Sequence, residues 1–254
     1  MTVPSDNSLL TPALAKAWGV SAAAARGPKP SLSAERIISA AIDVAAADGV
    51  DAVSMKRVAS ELGTGPMSLY RHISSKEELL SLMVDTAVGP PEPGLPTDTD
   101  TWRSGITRWA WDLRARYQQH LWTMNVPIPG PPITPNSVRW FESALRCFAR
   151  GGLTETEQTS AVLLVSMFVR SESTLTAQIT AAMQRSNSTE VLTGYAALLR
   201  RLTNRHDFPA VTRVLQAGVF DADDELDFDF TFGLERILDG IAALTRELGA
   251  APAD

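Results

Sequence analysis

The chain has 254 residues, 44% of them hydrophobic and 20% charged, with a formal net charge of -6. That balance is globular, and the negative charge excludes a protein that coats nucleic acid non-specifically, which needs a large positive surface. A single cysteine, Cys147, excludes an internal disulfide and a cysteine-rich zinc site. No apolar run approaches the roughly 20 residues that span a bilayer, and Met1 to Ser8 carries no secretory pattern, so a cytoplasmic protein with no membrane contact is expected.

Residues 1–30 read as an N-terminal arm, ending in Arg26-Gly27-Pro28-Lys29-Pro30, whose prolines keep the chain extended. The block 31–88 reads as four short helices. Ser33 caps the first, stapled by Leu32 and Ile37, and Gly49 stops it. Ser54 caps the second, stapled by Val53 and Val58, and Gly63 ends it. Gly65-Pro66 opens the third, which runs through Met67-Ser68-Leu69-Tyr70-Arg71-His72. A capping box, Ser75-Lys76-Glu77-Glu78, opens the fourth with Leu79, Leu80, Leu82 and Met83 behind it. The proline-rich stretch from Val88 to Pro96 reads as a plain linker, and a softer break covers 126–132. Helical periods then fall near 100–120, 134–150, 154–185, 189–204 and 225–248. No stretch alternates with period two. The expected fold is all-α: a helix-turn-helix DNA-binding domain over 31–88, then a helical-bundle ligand-binding and dimerisation domain over 97–254. The helices near 154–185 and at the C-terminus are apolar on more than one side, which requires burial by neighbours or by another subunit.

The second and third helices, joined by Leu62-Gly63-Thr64-Gly65, have helix-turn-helix proportions. Between Ser54 and Lys76 four cations, Lys56, Arg57, Arg71 and Lys76, stand against Glu61 alone. This local positive surplus in an acidic chain is the sign that phosphate contact requires. The candidate DNA-contacting set is Ser54, Lys56, Arg57, Gly65, Pro66, Met67, Ser68, Tyr70, Arg71, His72 and Lys76. Met67 and Ser68 face outward when Leu69 faces the core, while Tyr70, His72 and Lys76 carry donors for phosphate oxygens. Lys56 reaches either a base edge or a phosphate, and Arg26 and Lys29 of the arm suit an adjacent minor groove. An ordinary helical hairpin, with Tyr70 as a boundary aromatic, also accounts for these residues.

The runs Gly49-Val50-Asp51-Ala52-Val53-Ser54-Met55-Lys56-Arg57-Val58-Ala59, Leu62-Gly63, Met67 to His72 and Ser75 to Leu80 resemble the N-terminal domain of the tetracycline-repressor-like (TetR) family. More loosely, Arg116 to Trp122, Gly151 to Thr154 and Phe232 to Gly240 resemble that family's tetracycline-repressor type of C-terminal domain. The resemblance implies an all-α homodimer on a palindromic double-stranded operator, released when a small molecule enters the C-terminal domain. It also implies dimerisation through the helix near 154–185 and the last helix. Family members that bind magnesium–tetracycline use a histidine in the segment matching 123–135, which has none here, so that inducer is not expected.

The C-terminal region holds most of the large aromatics, and Trp102, Ile106, Trp109 and Leu113 share one helical face. Core packing accounts for any one of them; a mainly apolar pocket between helices accounts for them together. Its expected lining is Trp109, Leu113, Trp122, Met124, Phe141, Met167, Arg170, Ser171 and Thr174. Arg170 and Glu172 interrupt the apolar stripe of the long helix; an inward charge there requires a partner or a ligand. The histidines His72, His120 and His206 are too scattered for a metal site, and no cofactor is expected. The acidic run Asp221, Asp223, Asp224, Glu225, Asp227, Asp229 suits the start of the last helix. Two other readings stand beside a repressor: an all-α enzyme acting on a hydrophobic substrate, and a helical adaptor. Against the enzyme, the chain has no Gly-x-Ser-x-Gly elbow, P-loop or dinucleotide fingerprint.

Overall fold

The computed structural model describes residues 10–20, 32–185, 188–220 and 227–250, and among them every regular element is helical. The N-terminal unit comprises α1 (Pro12–Ala17), α2 (Ala34–Asp48), α3 (Met55–Glu61), α4 (Pro66–Leu69) and α5 (Lys76–Val88). Ser33, Ser54 and Ser75 hold extended backbone and accept the amide N–H of Arg36, Arg57 and Glu78, so α2, α3 and α5 begin where a side chain satisfies an orphan donor. Val53, Val58, Ile37, Leu69, Ile73, Leu79 and Met83 are fully buried and form a closed core. Burial of each stabilises the unit by roughly 1.5–3 kcal/mol.

The segment before α2 is not simply an extended arm. Residues 12–17 form a helix capped by Thr11, with Ala13 packed into the N-terminal core. Thr11 donates its hydroxyl to Glu78, Lys16 pairs with Glu35 at 3.0 Å, and the Trp18 indole donates to the Ile133 carbonyl at 2.9 Å. Arg26 and Lys29 lie outside the described residues.

The larger unit contains α6 (Trp102–Gln119), α7 (Pro135–Phe148), α8 (Glu155–Arg185), α9 (Ser188–Leu202), α10 (Pro209–Gln216) and α11 (Phe228–Ala250). Short α10 was not legible as a period. The core is formed by α6, α7, α8 and α11 through Ile106, Trp109, Phe148, Val165, Val169, Phe230, Leu234 and Leu238. Gly233 lets α11 lie close on α8, because a Cβ there would sit 2.6 Å from the Phe168 ring.

The stretch read as a plain linker is pinned. Leu95 is buried in the second core, the Gly89 carbonyl accepts the Trp140 indole at 2.8 Å, and Glu92 N–H donates to Asp112 at 2.9 Å. One oxygen of Asp85, on α5, accepts the amides of Asn136 and Ser137 at the start of α7, both at 2.9 Å. The two units are therefore joined by directional bonds, not by a tether alone.

Candidate nucleic-acid interface and the seam behind it

Glycine at 63, with φ +64, lets the backbone leave α3 in a left-handed turn that few other residues adopt. Gly65 then holds extended backbone and Pro66 starts α4, as its fixed φ allows. Leu69 and Ile73 are fully buried and root this short helix in the core, while Met67 is 75% exposed and Tyr70 47% exposed. The α-helical ladder ends at Leu69, earlier than the sequence pattern through His72 predicts, because the amides of His72 and Ile73 both turn back to the Leu69 carbonyl. Ser68 and His72 are half-buried beside the exposed pair, and Gly65 and Pro66 are exposed.

The four cations of this segment do not behave alike. Arg57 donates to Glu61 at 2.7 Å and to Asp48 at 2.9 Å, so its charge braces α3 against α2 and the local surplus is smaller than the residue count implies. Lys56, Arg71 and Lys76 form no salt bridge among the described residues, and Lys56 and Arg71 are exposed. Ser54 uses its hydroxyl oxygen as the α3 cap.

Of the expected pocket lining, Trp109 and Leu113 are core residues; the Trp109 indole is satisfied by the Trp140 carbonyl at 3.0 Å and by Ser143 at 3.1 Å. Phe141 packs half-buried at the edge of that core. Met167, 60% exposed, and Ser171, also exposed, do not join them: they lie on the outer side of α8 with Leu163, Leu164 and Leu175. Trp122 and Met124 belong to a 3-10 turn, Leu121–Asn125, that packs along α8. Trp122 and nearby Val126 enter the core of the N-terminal unit rather than a gap in the bundle.

Both charges in the α8 stripe have partners. Glu172 takes a two-pronged bond from Arg114 on α6, at 3.0 and 2.9 Å, and Asp227 accepts from the same guanidinium at 2.7 Å. Arg114 is almost fully buried, lying over the rings of Phe230 and Trp111, so this knot ties α6, α8 and the start of α11. Arg170 donates to the Val126 carbonyl at 2.8 Å and to the Met124 carbonyl at 3.5 Å, and Tyr117 lies within its reach. Burial pushes the Tyr117 phenol up, which keeps it neutral. Thr174 bonds back to the Arg170 carbonyl. Ser173 escaped the sequence reading, although its spacing from Val162, Val165 and Val169 puts a hydroxyl where that buried stripe calls for an apolar side chain. Among the described residues, no group of three or more His, Cys, Asp or Glu gathers to hold a metal, and no helix is long and apolar enough to cross a membrane.

With that geometry in hand, likeness to known proteins is informative. Residues 37–83 match the family model for bacterial regulatory proteins of the tetR family, and residues 94–245 match the model for a tetracyclin repressor-like C-terminal domain. The chain is 33% identical over 238 residues to the HTH-type transcriptional repressor DrrR1 of Streptomyces coeruleorubidus, covering 91% of this chain and 84% of that protein. Among solved structures it is similar to apo ActR from Streptomyces coelicolor, with a TM-score of 0.68, 27% identity, and coverage of 87% of this chain and 99% of that one. ActR in complex with actinorhodin is also similar, with a TM-score of 0.66 and 27% identity, covering 86% of this chain and 99% of that one.

Proposed function

This chain belongs to the tetR family of bacterial regulatory proteins, and on that premise we propose that it is a cytoplasmic, homodimeric repressor released from a palindromic operator by a small hydrophobic molecule. The observation that carries the DNA-reading role is the pairing of buried Leu69 and Ile73 with exposed Met67 and Tyr70. A large apolar side chain held rigidly in solvent on a short helix is costly to keep exposed and suits a major groove, where Met67 meets thymine methyls. Tyr70, Arg71, His72, Lys76 and Lys56 then lie along phosphate oxygens, with Gly65, Pro66, Ser68 and Ser54 at the rim. Arg57 acts at a distance, by holding the turn.

The dimer reading is supported by the outer face of α8, where Leu163, Leu164, Met167 and Leu175 are exposed, and by Phe228 and Phe232 on α11. An apolar face of this extent on two neighbouring helices fits a second copy better than water. Two reading helices would then stand about one DNA turn apart, roughly 34 Å, or somewhat more. The effector reading is supported by the similar ActR structure with actinorhodin.

A footprint of the full chain on the DNA flanking its own gene tests this reading. A protected palindrome at nanomolar protein is expected. Lys76→Ala should reduce the slope of log affinity against log salt by about one, while Arg57→Ala, whose charge is already neutralised, should change it far less. Met67 substitutions should shift the preferred half-site. Met67 variants with unaltered sequence preference would show that α4 does not enter the groove.

A further inference from the structure

Helix α1 cannot stand on its own. Its six residues fall well short of the roughly 12–15 that an isolated helix needs in water, so Pro12–Ala17 is helical only because it is docked. Its cap residue is bonded on both sides. The Thr11 hydroxyl oxygen accepts the Leu14 amide at 3.2 Å, and its proton is donated to one oxygen of Glu78. The other oxygen of Glu78 accepts the Ser74 amide, and Ser74 follows Ile73, one of the two buried residues that root α4. One carboxylate thus holds both the start of α1 and the turn that leads from α4 into α5. At the far end of α1, the Trp18 indole crosses to the Ile133 carbonyl, two residues before α7 of the other unit. Ala13 and Leu14 are buried between these anchors, and Lys16 is paired with Glu35. The N-terminal family model begins at residue 37, so α1 lies upstream of everything that model describes.

We propose that α1 is a positioning element for operator recognition: it fixes the turn behind α4 through Thr11 and Glu78, ties that unit to Ile133 through Trp18, and does not itself touch DNA. The proposal rests on the DNA-reading function above and deepens it by adding three positioning residues, Thr11, Trp18 and Glu78. The α-helical ladder of α4 ends at Leu69, so the Ser74 amide is held by a side chain, Glu78, and not by a helix. Bonds to a carboxylate are charge-assisted and about twice as strong as neutral ones, which suits Glu78 to that place. Tyr70 and Arg71 sit on the stretch between Leu69 and this turn. Side chains ordered in advance lose less entropy on binding, so a fixed turn raises operator affinity without adding a contact. Because α1 has no stability of its own, its anchors act together. Loss of the Thr11 hydroxyl removes the cap, releases one oxygen of Glu78 and loosens the Trp18 crossing at once. The one cation of α1, Lys16, is already paired with Glu35, in keeping with a helix that acts through its neighbours.

The test compares full-length wild type with Thr11→Val, Thr11→Ser and a chain lacking residues 1–20, which keeps Arg26 and Lys29. Hydrogen exchange of the DNA-free proteins, followed by mass spectrometry, reads the coupling without any operator. Thr11→Val should speed exchange at least tenfold both in residues 12–18 and in residues 70–78, and Thr11→Ser, which keeps a hydroxyl cap, should restore most of the protection. Operator affinity should fall at least tenfold in Thr11→Val and in the shortened chain, with the slope of log affinity against log salt unchanged. Thermal unfolding of each variant checks that it is folded at the assay temperature. Unaltered exchange at 70–78 in Thr11→Val, or wild-type operator affinity in the shortened chain, would overturn the positioning role. A salt slope reduced by about one in the shortened chain would make Lys16 a phosphate contact and overturn it equally. Failure of the wild type to bind any operator would instead defeat the DNA-reading function, while the exchange result still decides whether α1 holds the turn.

Discussion

The two units of this protein solve the burial problem in different ways. In the N-terminal one, each helix turns its apolar stripe into a shared core, and from α2 through α5 the large exposed apolar side chains are Met67 and Tyr70. In the C-terminal one a comparable core exists, yet α8 also exposes Leu163, Leu164, Met167 and Leu175 on its other side. The contrast teaches that exposure has two meanings here. On the function proposed above, two residues standing out from a short, rooted helix would be the reading tip, whereas the apolar face of a 31-residue helix would be the surface that a second copy covers.

The sharpest way to break that comparison is Leu69→Ala. Emptying a fully buried site costs about 2–5 kcal/mol, a large share of a small unit's stability. Operator binding should vanish and the N-terminal unit should melt early, while sedimentation still reports the same oligomer. Dissociation into monomers would mean that the units do not fold as separately as their cores suggest. A smaller but selective effect is expected from Met167→Glu. Its side chain touches little within one chain, so helix content should be unchanged, but a carboxylate in an apolar seam should raise the dimer dissociation constant about a hundredfold, near 2.7 kcal/mol. An unaltered constant in analytical ultracentrifugation would take Met167 out of the seam.

The smallest effect concerns α1. Burial works against the charged form of Glu35, but its own backbone amide, the Ser33 hydroxyl and Lys16 outweigh it and lower the carboxyl from 4.5 to about 2. Since the folded value lies below the unfolded one, this contribution is complete above pH 4.5 and is lost as pH falls from there toward 2. The side chain is 66% exposed, so solvent screening keeps the contribution below about 1 kcal/mol. Glu35→Gln should therefore lower stability slightly above pH 4.5, leave it unmoved near pH 2, and so flatten the acid limb of the stability curve; an equally steep acid limb in the variant would assign it to other carboxylates.

What was legible in the sequence follows the range of the forces involved. Ser33, Ser54 and Ser75 act three residues away, so helix starts could be read directly, as could the turn at Gly63. The helix Pro12–Ala17 could not, because its anchors, Glu35, Glu78 and Ile133, are distant in sequence. The expected pocket dispersed for the same reason. Periodicity marks Met167 and Trp109 alike as apolar, but only the packing separates an outward face from the core, and sends Trp122 across to the other unit. Arg57 was counted as a free cation because Asp48, nine residues upstream and across the α2–α3 turn, is invisible to a tally of 54–76.

The burial of Trp122 and Val126 in the first core has a practical corollary for anyone recombining such regulators. The natural place to cut a chimera is the proline-rich stretch after Val88, since it lies between the two family models, which end at residue 83 and begin at residue 94. An N-terminal unit grafted there onto a foreign C-terminal domain would keep its helices but lose the Trp122 and Val126 side chains from its core, where their turn packs against residues 50–52. The folding module is therefore discontinuous: residues 11–17 and 32–88 plus the 121–126 clip, and transplants that carry these pieces, together with Arg170 to hold the clip, should keep the N-terminal core filled.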